Sequence, residues 1–526
     1  MAGWAGIEQA AGAFTSHDLT VVLLIGTLAL IVCVAAVKLT ASSGLPTLLI
    51  YLAVGVALGE DGLGIEFESA ELTQVLGYAA LVLILIEGGL TTKWSSIRRS
   101  VAPAAMLSTV GVVVSVAVVG VAARFLLDLP WTTALLVGAI LSSTDAAAVF
   151  SVLRRVPLPR RLTGMLEAES GFNDAPVVIL VTALSATAAQ PDAAQSPFAL
   201  AALAGLELLG GTVIGIGIGY VGGLFMRRVA SSQSGLFSIG ILSVAVLAYA
   251  VGTFVHASGF IACYLAALIL GNMALPHRPA VRGFAESIGW LAQIGLFVLL
   301  GLVASPSGFA SQIVPAIVIG LVLLLLARPL SVLVSLAPFR VGLRDQAFLS
   351  WAGLRGAVPV VLATVPAIHD VPDVDWLFDL VFVLVVIFTL VQAPTLPWVA
   401  RLLGVTQADA TRDLDVESLP LERLDADLIG VTVSEASLLH GVEVGELRLP
   451  KGANVTLVVR NGAGFVPTSQ TVIHRGDDLL IVSTRKARDG AETRVRQVSK
   501  HGRLAGWLGP RQAAGNQPGR RRTYTP

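Results

Sequence analysis

Between Leu19 and Leu403 the chain is a succession of apolar runs, each close to the roughly 20 residues a helix needs to cross a hydrocarbon layer. Thirteen such runs can be counted, at about 19–37, 44–59, 72–90, 101–126, 131–153, 162–188, 198–225, 236–254, 258–273, 288–304, 313–336, 347–368 and 376–403. Only 13% of residues are charged and 55% are hydrophobic, whereas soluble domains carry about 25% charge. A polytopic membrane protein is the one class that fits. The first run has no basic segment before it and no cleavage site after it, so it reads as a retained span. Cys33 and Cys263 lie in separate apolar runs and read as small buried hydrophobes.

The loops test this count. Lys and Arg concentrate on the cytoplasmic side of membrane proteins, and here they alternate. Lys38, then Lys93, Arg98 and Arg99, then Arg154, Arg155, Arg160 and Arg161 follow runs 1, 3 and 5. Arg227 and Arg228, Arg278 and Arg282, and Arg340 and Arg344 follow runs 7, 9 and 11. The even-numbered loops hold only Arg124 and are otherwise acidic, with Glu60, Asp61, Glu66 and Glu68, and later Asp370, Asp373 and Asp375. One missed crossing would destroy the alternation. The N-terminus is therefore expected outside and the C-terminus in the cytoplasm.

Ionisable groups at membrane depth are costly and mark ion or proton paths. Run 6 opens with Leu166-Glu-Ala-Glu-Ser-Gly-Phe-Asn-Asp174. On a helix Glu169, Ser170, Asn173 and Asp174 project within an arc of roughly 140°. Run 5 carries Ser142-Ser-Thr-Asp145, a cluster that competes with helical hydrogen bonds and predicts an interruption, with Asp145 facing the positive end of the second half-helix. Run 12 carries Gly353-Leu-Arg355-Gly356 and Pro359, again predicting a break. Runs 5 and 12 are seven apart and so antiparallel, and interrupted helices in corresponding positions of inverted halves point to a transporter's midplane site. The fold class expected is an all-α membrane protein with inverted repeats and two broken crossing helices, followed by a small α+β domain.

Arg355 stays charged and needs a counter-charge, for which Glu169, Asp174, Asp145 and Glu87 are available and Glu169 is favoured. That leaves Asp174, supported by Asn173 and Ser170, as the carboxylate at which a proton and a hard cation compete. Glu87, beside Gly88-Gly89, reads equally as a ligand or an interfacial carboxylate. His256 and His369 read as solvated surface histidines, and Glu207, Glu286 and Gln293 are left without a role. Gly217-Ile-Gly-Tyr-Val-Gly222 matches a dinucleotide fingerprint in letters only, since no strand precedes it. The glycines at 211, 215, 219 and 223 instead suit close helix packing.

Beyond Thr406 the composition becomes soluble. The expected divisions are a membrane domain over 1–404, an acidic linker over 405–426, a small domain over 427–486 and a basic, unstructured tail over 487–526, able to meet anionic lipid. Strand signals fall at 428–433, 455–460 and 479–483, with a short helix near 442–447.

In combination, Thr144-Asp145, Glu169-Ser-Gly-Phe-Asn-Asp174 and Gly353-Leu-Arg-Gly-Ala357 resemble the NhaP-type cation:proton antiporters, over about residues 15–405. The resemblance implies a homodimer in a bacterial inner membrane, with a core domain moving against a dimerisation domain. It implies that Asp174 binds the alkali cation and proton, with Ser170 and the Thr144 backbone as neighbouring ligands. Asp145 would act through water or at the half-helix end, Asn173 would order the site, Glu169 would pair with Arg355, and Glu87 would be a further ligand. Asn-Asp at 173–174, with no lysine in run 10, resembles the electroneutral branch. The segment with Leu449-Pro-Lys-Gly and His474-Arg-Gly-Asp-Asp-Leu-Leu-Ile-Val482 resembles the TrkA-C (RCK C-terminal) domain, which implies regulation and K⁺ over Na⁺, with cyclic di-AMP or another nucleotide as a regulatory ligand. No enzyme activity, resident cofactor or nucleic-acid partner is expected. A gated cation channel is the alternative, disfavoured by the lack of a Gly-Tyr-Gly filter loop. An intramembrane hydrolase would need a base beside Ser142, Ser143 or Ser170, and no histidine lies at that depth.

Overall fold

The computed structural model describes residues 16–43, 46–65, 67, 69–145, 158–190, 196–229, 233–406, 418–421, 426–434, 437–484 and 486–502. These fall into two compact units, one ending at Thr406 and the other beyond it.

Lipid offers backbone amides no partner, so an apolar run must satisfy them within itself, which a helix does. The membrane unit is accordingly helical. Its elements are α1 (Ser16–Ser43), α2 (Thr47–Leu58), α3 (Ala70–Thr91), α4 (Val101–Leu126), α5 (Trp131–Ile140), α6 (Arg160–Ala189) and α7 (Pro197–Arg228). They continue with α8 (Ser234–Phe254), α9 (Gly259–Asn272), α10 (Arg278–Val303), α11 (Pro306–Phe339), α12a (Leu343–Trp351), α12b (Ala357–Ile368) and α13 (Asp375–Leu402). Among the described residues nine are long and apolar enough to cross a membrane, and α2, α5, α9 and α12b are shorter apolar helices. One apolar core runs from Cys33 on α1 to Ala400 on α13 and contains both cysteines, which are free.

Small residues allow close helix contacts. A Cβ at Gly215 would stand 2.8 Å from the Ala262 Cα, and one at Gly219 would stand 2.8 Å from the Ala266 Cα, so the glycine repeat of α7 admits the α9 backbone. The fingerprint-like glycines are thus part of a helix, as their context required. α4 and α11 each contain a π-turn, at Leu107–Gly111 and Leu323–Ala327, and each π-turn packs against the other helix.

Two helices stop inside the unit. α5 ends at Ile140 and Leu141–Asp145 is not helical, while residues 146–157, the rest of that run, lie outside the described residues. Between α12a and α12b, residues 353–356 are non-helical. The two interruptions meet, because the Asp145 N–H donates to the Leu354 carbonyl at 2.9 Å.

The second unit is an antiparallel five-stranded sheet of order β1-β2-β5-β3-β4, with β1 Ser418–Leu421, β2 Ala426–Thr432, β3 Ala453–Arg460, β4 Ala463–Phe465 and β5 Asp478–Thr484. β2, β3 and β5 occupy the expected strand runs, and a 3₁₀ turn at Val444–Leu447, closed by a Glu443–Glu446 capping box, replaces the expected short helix. Two expectations need correction. The stretch read as linker contains β1, a strand that Pro420 disguised although proline is tolerated at a sheet edge. The stretch read as unstructured tail contains α14 (Arg488–His501), whose Ala491, Val495 and Val498 are buried against Ile429, Val431, Leu479 and Ile481. Spaced four and three residues apart among charged neighbours, they form a stripe too narrow to stand out. Residues 503–526 lie outside the described residues.

Candidate functional site

The site is assembled on α6. Its polar residues face the interruption after α5, so that hydroxyls freed from helix duty meet carboxylates that need donors. The Ser143 hydroxyl donates to Asp174 Oδ1 at 2.9 Å, and the Asn173 amide donates to the Ser142 carbonyl at 3.3 Å and to Thr144 Oγ1 at 3.2 Å. Thr144 in turn donates to Glu169 Oε1 at 3.4 Å. Ser142, Ser143, Thr144, Glu169, Asn173 and Asp174 are all buried, and Ser170 is half-buried on the same helix. Asn173 Oδ1 is buried and receives no hydrogen bond among the described residues.

Glu169 is paired, but not with Arg355. Arg328 of α11 grips it through Nη1–Oε1 at 2.5 Å and Nη2–Oε2 at 2.9 Å, with both side chains at most 4% exposed. Sequence reasoning missed Arg328, although a lone arginine inside the apolar run 313–336 carried the signal. Arg355 instead donates from Nε to the Leu141 carbonyl at 2.7 Å and from Nη1 to the Gly353 carbonyl at 2.8 Å. Those carbonyls lie just past the C-terminal ends of α5 and α12a, where the helix dipole is negative and helical donors are missing. Two helix ends thus supply what the sequence reading sought in a carboxylate. The Gln392 amide of α13 caps α12a similarly, donating to the Trp351 carbonyl at 3.0 Å.

Glycines make these approaches possible. A Cβ at Gly353 would stand 2.6 Å from Arg328 Nε, and one at Gly356 would stand 2.6 Å from Asp145 Cγ. Gly356 is the N-cap of α12b, so the half-buried Asp145 carboxylate lies against the positive end of that half-helix. The rest of its own run, in which the sequence predicts a second half-helix, lies outside the described residues. Glu87, half-buried on α3, packs against α10, with its Cγ 2.7 Å from where a Gly289 Cβ would be.

The donors gathered here are carboxylate, hydroxyl, amide and carbonyl oxygens, a set suited to hard cations and not to soft transition metals. Among the described residues no three His, Cys, Asp or Glu side chains cluster as a metal centre. The arrangement can hold a small cation on Asp174, or a proton in its place, while Glu169 stays committed to Arg328.

Residues 25–402 match the family model described as "Sodium/hydrogen exchanger, transmembrane", and residues 428–493 match the TrkA-C domain. A protein named K(+)/H(+) antiporter NhaP2 from Shewanella oneidensis is 34% identical over 92% of this chain and 85% of its own length. One named K(+)/H(+) antiporter NhaP from Alkalimonas amylolytica is 35% identical over 88% of this chain and 80% of its own. The solved structure of the sodium proton antiporter MjNhaP1 from Methanocaldococcus jannaschii superposes with a TM-score of 0.62 at 22% identity, covering 72% of this chain and 99% of that one, which shows a shared fold.

Proposed function

The chain belongs to the sodium/hydrogen exchanger family, whose members are secondary transporters, and we propose that it exchanges one K⁺, or Na⁺, for one H⁺ by alternating access. The observation that carries this is the buried Asp174 carboxylate, held by Ser143 among oxygen donors, next to a Glu169 that Arg328 has already neutralised. A carboxyl that releases H⁺ as it takes up a monovalent cation, and the reverse, carries the same charge in both loaded states. With Glu169 unavailable, that supports one-for-one, electroneutral exchange. Ser170, the Thr144 backbone and Glu87 complete the cation's ligands, Asn173 orders them, and Asp145 acts through water from the N-terminus of α12b. The relatives of 34 and 35% identity are both named for K⁺, which favours K⁺ over Na⁺.

In this reading the thirteen apolar runs are thirteen crossings, N-terminus outside and C-terminus cytoplasmic, in a bacterial inner membrane. The meeting of the α5 and α12 interruptions supports two broken helices crossing at the midplane of inverted repeats. The protein works as a homodimer whose core domain moves against the dimer contact. Residues 1–404 transport, and the module that follows regulates, with cyclic di-AMP or another nucleotide as its ligand.

Reconstituted vesicles with an acidic lumen and a trapped pH dye test the transport reading. On external K⁺ the wild type alkalinises the lumen, D174N does not, and the half-saturation values for K⁺ and Na⁺ rank the ions. A D174N protein that exchanges normally would remove Asp174 from the mechanism. Unitary currents in a planar bilayer would instead favour a channel.

A further inference from the structure

We propose that His440 and His474 of the cytoplasmic module together bind one divalent transition-metal ion of the imidazole-preferring class, such as Zn²⁺, Ni²⁺ or Cu²⁺. Their rings approach with centroids 5.9 Å apart and planes inclined at 66°, and both side chains are exposed. Two imidazoles sharing one tetrahedral ion at about 2.0–2.1 Å per nitrogen place their centroids roughly 5–6 Å apart, so the pair already stands at the separation a shared ion needs. Exposure leaves the remaining coordination positions to water. No carboxylate or thiolate joins them as a third ligand, since no cluster of three metal-ligating side chains occurs among the described residues. That selects against hard cations such as Mg²⁺ and Ca²⁺, which need several oxygens.

The two turns that carry the rings are held by hydrogen bonds that do not involve the rings. The Gly441 N–H donates to the Ile473 carbonyl and the Ile473 N–H to the Val442 carbonyl, each at 2.9 Å, which ties the turns together next to the histidines. Below His474, Asp477 is 0% exposed and accepts the His474 backbone N–H at 2.7 Å and an Arg460 fork at 2.8 Å on each oxygen. Below His440, Ser437 shares a 2.9 Å hydroxyl bond with Ser499 of α14, and the Leu438 N–H donates to the Ser499 carbonyl at 3.0 Å. The backbone at both histidines is therefore set by the fold, so an ion would have only two side chains to order. Bound there, it would clasp the turn held by α14 to the turn that leads into β5, stabilising the module in proportion to occupancy.

The site is independent of the transport reading and its test is binding, not flux. Full-length protein purified without a polyhistidine tag is dialysed to equilibrium against low-micromolar free Zn²⁺. H440A, H474A and the double variant are compared with wild type; both positions are exposed, so these variants keep the fold. The expected result is one equivalent of Zn²⁺ per chain more in wild type than in either single variant, with no further loss in the double variant. Wild-type binding equal to that of H440A and H474A, loss in only one single variant, or no binding by wild type would each overturn the shared site and leave the ring contact as packing alone.

Discussion

Replacing Glu169 by glutamine should destabilise the membrane unit more than replacing Arg328 by methionine, although both changes break the same ion pair. Breaking a buried pair by removing one partner costs about 3–5 kcal/mol, because a charge stays behind without compensation. What stays behind differs. In E169Q the volume is kept, but Arg328 and Arg355 remain as two buried guanidiniums lining one small cavity, with carbonyls as their acceptors. That places E169Q near 5 kcal/mol, at the upper end of about 3–5. In R328M the surviving Glu169 keeps the Thr144 hydroxyl at 3.4 Å, and Arg355 remains as a nearby cation, so the cost falls near 3 kcal/mol or below. The double variant E169Q/R328M removes both charges and should recover most of the loss: against a sum of about 8 kcal/mol for the single variants, a remaining cost of about 2 kcal/mol corresponds to a coupling energy on the order of 6 kcal/mol. The assay is equilibrium unfolding of the purified protein in mixed micelles, followed by tryptophan fluorescence. Equal costs for the two single variants, or a double variant as unstable as their sum, would refute the view that Arg328 neutralises Glu169 beside a second buried cation.

Three further outcomes follow from contacts already described. S143A removes a hydrogen bond that favours the charged form of Asp174, worth about 1.5–3 kcal/mol for a charged acceptor; the cation's half-saturation value should rise about tenfold or more with the maximal rate kept, as read in the vesicle assay. G356A puts a methyl group into the Asp145 carboxylate, an overpacking that costs about 1–3 kcal/mol, and should cut the exchange rate while G217A on α7, with nothing within 4 Å, leaves it unchanged. In the cytoplasmic module, burial alone would raise the Asp477 carboxyl, but the Arg460 guanidinium and the His474 N–H outweigh it and hold it below its ordinary value. The folded state then binds fewer protons than the unfolded state, so this stabilisation is complete above about pH 4 and is lost as pH falls through the lower folded value. Hydrogen exchange at β5, corrected for intrinsic rates, should show that acid-side loss in wild type, and D477N should lack it.

The chain's architecture was legible where one physical signal dominated. Helices had to fill the apolar runs because lipid leaves the backbone no other partner, and each of the thirteen runs contains at least part of a helix. Ser142 to Asp145 announced an interruption because so many short polar side chains compete with the helical ladder, and the structure has α5 end there. α14 and β1 were illegible for the opposite reason. Ala491, Val495 and Val498 are three apolar positions in fourteen residues, and Pro420 interrupts a strand only four residues long. Their stability comes from a sheet assembled from distant segments, which no local window contains.

The pairing of Glu169 failed for a more general reason. Matching arginines to carboxylates counts side-chain charges, yet a helix that ends inside the unit creates backbone charge as well. When α5 stops at Ile140 and α12a at Trp351, each leaves carbonyls without helical donors and a partial negative charge at its end. Arg355, two residues past Gly353, is the donor those ends select, and it is thereby removed from the search for a carboxylate. Glu169 then needs a different cation, and the lone arginine on α11 supplies it. The same accounting isolates Asp174. Once helix ends hold Arg355 and Arg328 holds Glu169, Asp174 is a buried carboxylate that, among the described residues, meets a serine hydroxyl in place of a fixed cation, the condition under which a mobile cation can take that role.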